Sequence, residues 1–160
     1  MAKRKTASEK LNCQNDLPKI KTAPDNWGGG TMLIAHPTEI DALMKQIPAG
    51  QLTTSEHIRA WLAHAHNVSM CCPMTAGIFI NLSAAAAEED SASGLTEITP
   101  YWRTLKKNGE LNNKFPGGIE KHRGRLEAEG HTVRQKGKRF FVVDYEQRLF
   151  RGLGNVSRSG

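Results

Sequence analysis

Thr99-Pro100-Tyr101-Trp102-Arg103 is the stretch on which the reading of this chain turns. It sets a proline, two large aromatics and an arginine side by side, just after a Ser/Gly-rich linker at Ser91–Gly94. Exposed, the two rings beside a cation suit a pocket that stacks on a flat, electron-rich ligand such as a nucleobase. Buried, they are core aromatics at the start of a strand. The five residues leave both readings open, and the surrounding chain has to choose.

Downstream, Trp102 to Lys106 reads as a strand, Lys107-Asn108-Gly109 as its turn and Glu110 to Asn112 as the return. Phe115-Pro116-Gly117-Gly118 is a tight loop. Gly118 to Glu129 comes next as an amphipathic helix with Ile119 and Leu126 inward, stopped by Gly130. His131–Gln135 and Arg139–Val143 read as a second hairpin around Lys136-Gly137-Lys138. Asp144 caps a short last helix to about Phe150, and the Gly/Ser-rich tail from Arg151 is expected to be disordered.

Upstream, Cys72-Pro73-Met74-Thr75 opens a helix that extends to Asp90, with proline in its first turn. Gly77 inside it costs about 1 kcal/mol against alanine, a cost tolerated where another backbone comes close. Glu88-Glu89-Asp90 sit at the wrong end for the helix dipole, so that end is expected to be exposed and to fray. Before it, Thr53-Thr54-Ser55-Glu56 reads as a capping box with Thr53 at the N-cap, starting a helix to Ala65 that buries Ile58, Trp61 and Leu62. The two helices and their turn make a helix-turn-helix pattern, the second being a candidate recognition helix. Ile40, Leu43, Met44 and Ile47 form the buried stripe of an earlier helix opened by Pro37, which comes after the apolar run Thr31–Ala35 and stops at Pro48-Ala49-Gly50. Residues 1–30 read as a flexible basic arm, opened by Lys3-Arg4-Lys5 and broken by Pro18, Pro24 and Gly28-Gly29-Gly30, with Trp27 as a lone anchor.

The chain has 160 residues and a net charge of +6. Residues 1–30 carry six Lys/Arg against three Asp/Glu, residues 131–160 seven against two, and residues 31–130 nine against eleven. Basic flanks around a nearly neutral body suit a polyanion partner through counterion release, and they suit solubility as well. Three cysteines make no disulfide framework, and a reducing compartment fits. There is no apolar run of about 18 residues and no signal-peptide block, so a cytoplasmic, nucleoid-associated protein is expected. The six histidines show no metal spacing, and neither a metal nor a cofactor is implied.

The order of these motifs resembles the DNA-binding, active-site domain of the O6-alkylguanine-DNA alkyltransferases, over roughly residues 31–131. Ile47-Pro48-x-Gly50-x-Leu52-Thr53-Thr54 resembles that family's opening segment. Pro100-Tyr101-Trp102-Arg103 stands where the family carries Pro-Cys-His-Arg, and Gly117-Gly118 and Leu126-Glu127-Ala128-Glu129-Gly130 resemble the family's next segment. Cys72–Thr75, Thr99–Arg103 and the Lys136–Tyr145 hairpin are similar to those of a small bacterial subgroup. The fold this implies is mainly α with short β-hairpins, an α+β, winged helix-turn-helix-like domain over 31–150, with 151–160 as a tail.

The resemblance breaks at the chemistry. The family moves an alkyl group from a flipped guanine to a cysteine thiolate that a histidine helps to form. Tyr101 and Trp102 occupy those two places, and a phenol of pKa about 10 does not replace a thiolate. Glu129 matches the glutamate that supports the histidine, which leaves it to be a solvated helix end. Met74 lies near the family's base-replacing arginine and Ser55 matches its phosphate-rotating tyrosine. Arg103 matches the arginine that holds the loop.

The resemblance therefore implies a member of the alkyltransferase-like subgroup, a monomer that binds double-stranded DNA with O6-alkylguanine and hands it to excision-repair proteins. Tyr101, Trp102 and Arg103 would form the lesion pocket, and Thr54, Ser55, Met74, Thr75, Lys106 and Lys107 would contact DNA. Two alternatives stay open: a transferase whose nucleophile has moved to Cys72 at a helix start, and an interaction module that kept the fold without DNA binding.

Overall fold

The computed structural model describes residues 6–153; Lys3-Arg4-Lys5 and the tail beyond 153 lie outside the described residues. The segment before residue 31, expected as an irregular arm, contains helix α1 (Ala7–Leu11) and strand β1 (Lys19–Thr22). Thr6 caps α1 by accepting the Glu9 N–H at 3.1 Å. The Ala7 and Ser8 N–H groups donate to the Glu89 carboxylate at 2.8 and 3.0 Å, and Leu11 is buried. These ties hold the segment against the body. β1 pairs antiparallel with β2 (Thr31–Ile34).

Helix α2 (Pro37–Met44) starts at His36, whose ring accepts the Thr38 N–H while Glu39 reaches back to the His36 N–H. It buries Ile40, Leu43 and Met44. Strand β3 (Thr53–Thr54) leads directly into α3 (Ser55–Ala65). The N-cap of α3 is Thr54, not Thr53, because it is the Thr54 hydroxyl that accepts the His57 N–H. Ile58 and Leu62 are buried on α3, while Trp61 is half-buried against the core.

Strand β4 (Met70–Cys71) lies parallel to β2, completing a sheet in the order β1-β2-β4, and the Cys72 N–H donates to the Leu33 carbonyl at 2.8 Å. This sheet fixes where α4 (Pro73–Ala92) begins. Ala76, Ile80, Ser83, Ala84 and Ala87 form the buried stripe of α4. Its last turns do not make the frayed, exposed end expected from the three acids. Ala86 and Ala87 are buried, Glu88 takes Tyr101, Lys121 and Arg125, and Glu89 caps α1. Partners neutralise the charge that the helix dipole disfavours there.

Residues 102–112 form no hairpin. Tyr101–Arg103 is a 3-10 turn, and strand β5 (Thr104–Leu105) pairs in parallel with β3 rather than with its own return. The expected turn at 107–109 is present, with Asn108 and Gly109 at φ +64° and +81°. Helix α5 (Gly118–Ala128) comes next and buries His122 and Leu126. β6 (Val133–Lys136) and β7 (Arg139–Val142) form the C-terminal hairpin, with Val133 opposite Val142 and Lys136 opposite Arg139. Asp144 opens a 3-10 turn at Tyr145–Arg148, but its backbone is left-handed (φ +54°) and its side chain caps nothing. Leu33, Ile40, Met44, Leu52, Ile58, Leu62, Tyr101, Leu105, Leu111 and Leu126 make up the centre of the core. The expected mixed class, helices with small sheets, is the one observed.

Candidate nucleic-acid interface

Tyr101 and Trp102 do not form an open pocket. Tyr101 is 0 % exposed and Trp102 8 %. Their rings meet edge to face at 5.3 Å, and Phe115 packs on Tyr101 at 5.1 Å. The buried Tyr101 hydroxyl donates to Glu88 at 2.5 Å. Burial, and then the Glu88 carboxylate, push the phenol pKa well above its ordinary value. The Arg125 guanidinium lies 4.3 Å over the Trp102 ring. The reading as core aromatics is the correct one, because the turn at 101–103 points both rings into the body.

Glu129 is no solvated helix end. Its carboxylate accepts the Trp102 indole N–H at 3.0 Å and the Arg103 guanidinium at 2.6 and 3.0 Å. Burial raises its pKa, but Arg103 and Trp102 outweigh that and hold it below the usual carboxylate range. Arg103 also donates to the Ile47 carbonyl at 2.7 Å, tying the 101–103 turn to the segment before β3. The indole thus fills the place that the resemblance gives to a histidine. His122 locks the turn from the other side. Its Nδ1 accepts the Asn112 N–H at 3.2 Å and its Nε2 donates to the Trp102 carbonyl at 2.9 Å, which fixes a neutral imidazole. Burial lowers its pKa to about 4.

The outward face of α4 is different. Met74 is 66 % exposed and Ile78 59 %, one helical turn apart. Between them Gly77 meets no backbone; nothing lies within 4 Å of where its Cβ would stand. Beside this face is a cavity of about 370 Å³, bounded by Pro73–Asn81 on one wall and by 104–107 and 112–114 on the other. Ser55, Arg59, Lys106, Lys107 and Lys114 stand around it. Among the described residues, neither Lys107 nor Lys114 has an ion-pair partner.

Of the residues singled out from sequence, Ser55, Met74, Lys106 and Lys107 come together at this cavity. Thr54 does not, for it is 1 % exposed and its hydroxyl is used by the His57 N–H and ring. Thr75 turns its hydroxyl back to the Cys72 carbonyl. Tyr101, Trp102 and Arg103 do not line the cavity. Sequence reasoning missed Arg59, Ile78, Asn81, Asn112, Asn113 and Lys114. Ile78 carried a usable signal, since apolar residues lie all round the first turns of α4 and one stripe cannot bury them all.

Cys72 is the N-cap of α4 but is 6 % exposed and packs with Ala23 and Met32 on the sheet side. Burial raises its pKa, while bonds from Thr75 and from the Met74 N–H outweigh that and bring it below the ordinary value. Burial pushes the Cys71 thiol up to about 11. Neither sulfur lines the cavity beside Met74. Among the described residues, no group of three His, Cys, Asp or Glu is placed to hold a metal ion, and no helix is long and apolar enough to cross a membrane.

No protein-family model and no curated protein matches this chain. Solved structures do resemble it. One is S. pombe ATL in complex with DNA, at 15 % identity and a TM-score of 0.50, covering 81 % of this chain and 98 % of that one. Another is S. pombe Atl1 in complex with damaged DNA containing O6-carboxymethylguanine, at 19 % identity and a TM-score of 0.49, covering 72 % and 94 %. The likeness is one of fold: the chain has an alkyltransferase-like α+β architecture.

Proposed function

We propose that this chain is an alkyltransferase-like DNA-binding protein that recognises alkylated guanine in a duplex and does not take the alkyl group. The observation that carries the proposal is the pair Met74 and Ile78, exposed on the first turns of α4 inside a frame of basic residues. Large apolar side chains inside a cationic surface suit insertion between base steps, with the cations on phosphates. In this reading α3 and α4 act as the helix-turn-helix, and Met74 and Ile78 hold the gap left by an extruded base. The cavity next to them receives that base against the 104–107 and 112–114 wall, with the Asn113 amide at its edge. The open space at Gly77 leaves room for close approach. The fold likeness to an ATL–DNA complex supports DNA as the partner, and the motif order supports O6-alkylguanine as the lesion. Excision-repair proteins are the partners that the resemblance implies for hand-over, with the chain acting as a monomer.

Alkyl transfer is disfavoured on two counts. The place of the family's cysteine holds a buried phenol bound to Glu88, and Cys72 faces the sheet. The experiment is a binding titration against two matched duplexes, one with guanine and one with O6-methylguanine, across a salt series, followed by intact mass. Tighter, salt-dependent binding of the methylated duplex with unchanged mass is expected. Equal affinity for both duplexes refutes lesion recognition. A one-methyl mass gain refutes the absence of transfer and points to Cys72. No binding at any salt favours the interaction module.

A further inference from the structure

The face of the C-terminal hairpin carries charge that the fold itself does not use. Arg134 and Lys136 stand two residues apart on β6, so their side chains share one face. Arg139 is opposite Lys136, and Phe141 is opposite Arg134, which brings all four to that face. Together with Asn108 they line a cleft of about 510 Å³. A lysine directly opposite an arginine is unfavourable for a strand pair. Arg139 is neutralised: it binds Glu110 at 2.7 and 3.1 Å and lies 5.4 Å over the Phe141 ring. Among the described residues, Arg134 and Lys136 have no ion-pair partner. One turn of the chain borders both this cleft and the cavity beside α4. Lys107 lines one and its neighbour Asn108 lines the other, so the turn at 107–109 is their common rim.

We infer that this hairpin is a second phosphate clamp, in which Arg134 and Lys136 hold the backbone of the same duplex whose bases meet Met74 and Ile78. The inference rests on the DNA-binding reading and extends its footprint past the recognition helix. A DNA strand carries a phosphate every ~3.4 Å along the axis, so a backbone leaving α4 past Lys107 runs on to the next available cations. Arg139, tied to Glu110, sets the shape of the cleft. Arg134 and Lys136 make the contacts.

The test is a salt series on one O6-methylguanine duplex with the native chain, Arg134→Ala/Lys136→Ala, Met74→Ala and the remote control Lys10→Ala/Lys21→Ala. The hairpin variant should bind about tenfold more weakly at low salt, and its slope of log K against log salt should fall by about 1.8, the value for two lost phosphate contacts. Met74→Ala should weaken binding without changing the slope. Arg134→Lys/Lys136→Arg should keep the native slope. A hairpin variant with the native slope overturns the clamp while leaving the DNA-binding reading intact. So does an equal fall in the remote control, which would make the effect one of net charge. A native chain that binds no duplex overturns both.

Discussion

Tyr101-Trp102 and Met74-Ile78 are two apolar pairs with opposite fates. The first is buried and fully partnered: a hydroxyl on Glu88, an indole N–H on Glu129, a guanidinium over the ring and a second aromatic alongside. The second is more than half exposed and touches the rim of a cavity. The pair that the sequence resemblance sets at a catalytic place is part of the core. The pair that looks like ordinary helix filling is left on the surface. Burial decides between scaffold and contact here, and residue type alone does not.

The largest effect should come from the buried pair. Tyr101→Ala removes a wholly buried ring and leaves the Glu88 carboxylate without its hydroxyl donor, so a loss of about 4 kcal/mol is expected. Denaturant melts of the variant check it. A loss below about 1 kcal/mol would mean that Tyr101 does not anchor the 101–103 turn.

The next effect is one of pH and belongs to the same scaffold. Buried His122 stays neutral in the folded chain down to about pH 4, whereas the unfolded chain takes up a proton below the ordinary 6.5. The unfolded state therefore binds the extra proton, and stability falls as pH drops through that window. The loss amounts to roughly 3 kcal/mol once pH 4 is reached. Below the ordinary carboxylate value, Glu88, Glu110 and Glu129, all held low by their partners, add a second decline. His122→Gln should flatten most of the first decline and keep the second, which melts from pH 7 down to about pH 2 would read.

The smallest effect on stability separates the two regions by sign. Gly77→Ala should stabilise α4 by about 1 kcal/mol, because its backbone is helical and its Cβ meets nothing. The same methyl narrows the approach to the cavity, so duplex affinity should fall as melting temperature rises. A variant that gains stability and keeps full affinity would remove Gly77 from the interface.

Helices α2, α3, α4 and α5 and the C-terminal hairpin were legible because periodicity, caps and turn residues agree there. The N-terminal elements were not. α1 is only five residues long, although Thr6 and Glu9 carry the spacing of a capping box. β1 reads Lys-Ile-Lys-Thr, which shows little apolar content because it is an edge strand. The end of α4 is not legible locally, because the partners of Glu88 are Tyr101, Lys121 and Arg125, which no local pattern reveals. The expected strand return at 110–112 failed because β5 found Thr53–Thr54, a pairing far away in sequence. At the cavity beside α4, Met74 and the two lysines of 106–107 are residues that the sequence alone also singles out. Ile78, Arg59 and the 112–114 wall depend on how α4 rolls against the core.

Whether Met74 and Ile78 open the base stack can be read by placing 2-aminopurine next to O6-methylguanine in a duplex and measuring its fluorescence on adding protein. The native chain should raise the signal strongly as the stack opens, and Met74→Ala/Ile78→Ala should lose most of that rise while melting at the native temperature. A rise that survives the double substitution, or a native complex in which the stack stays closed, would show that this pair is not a wedge.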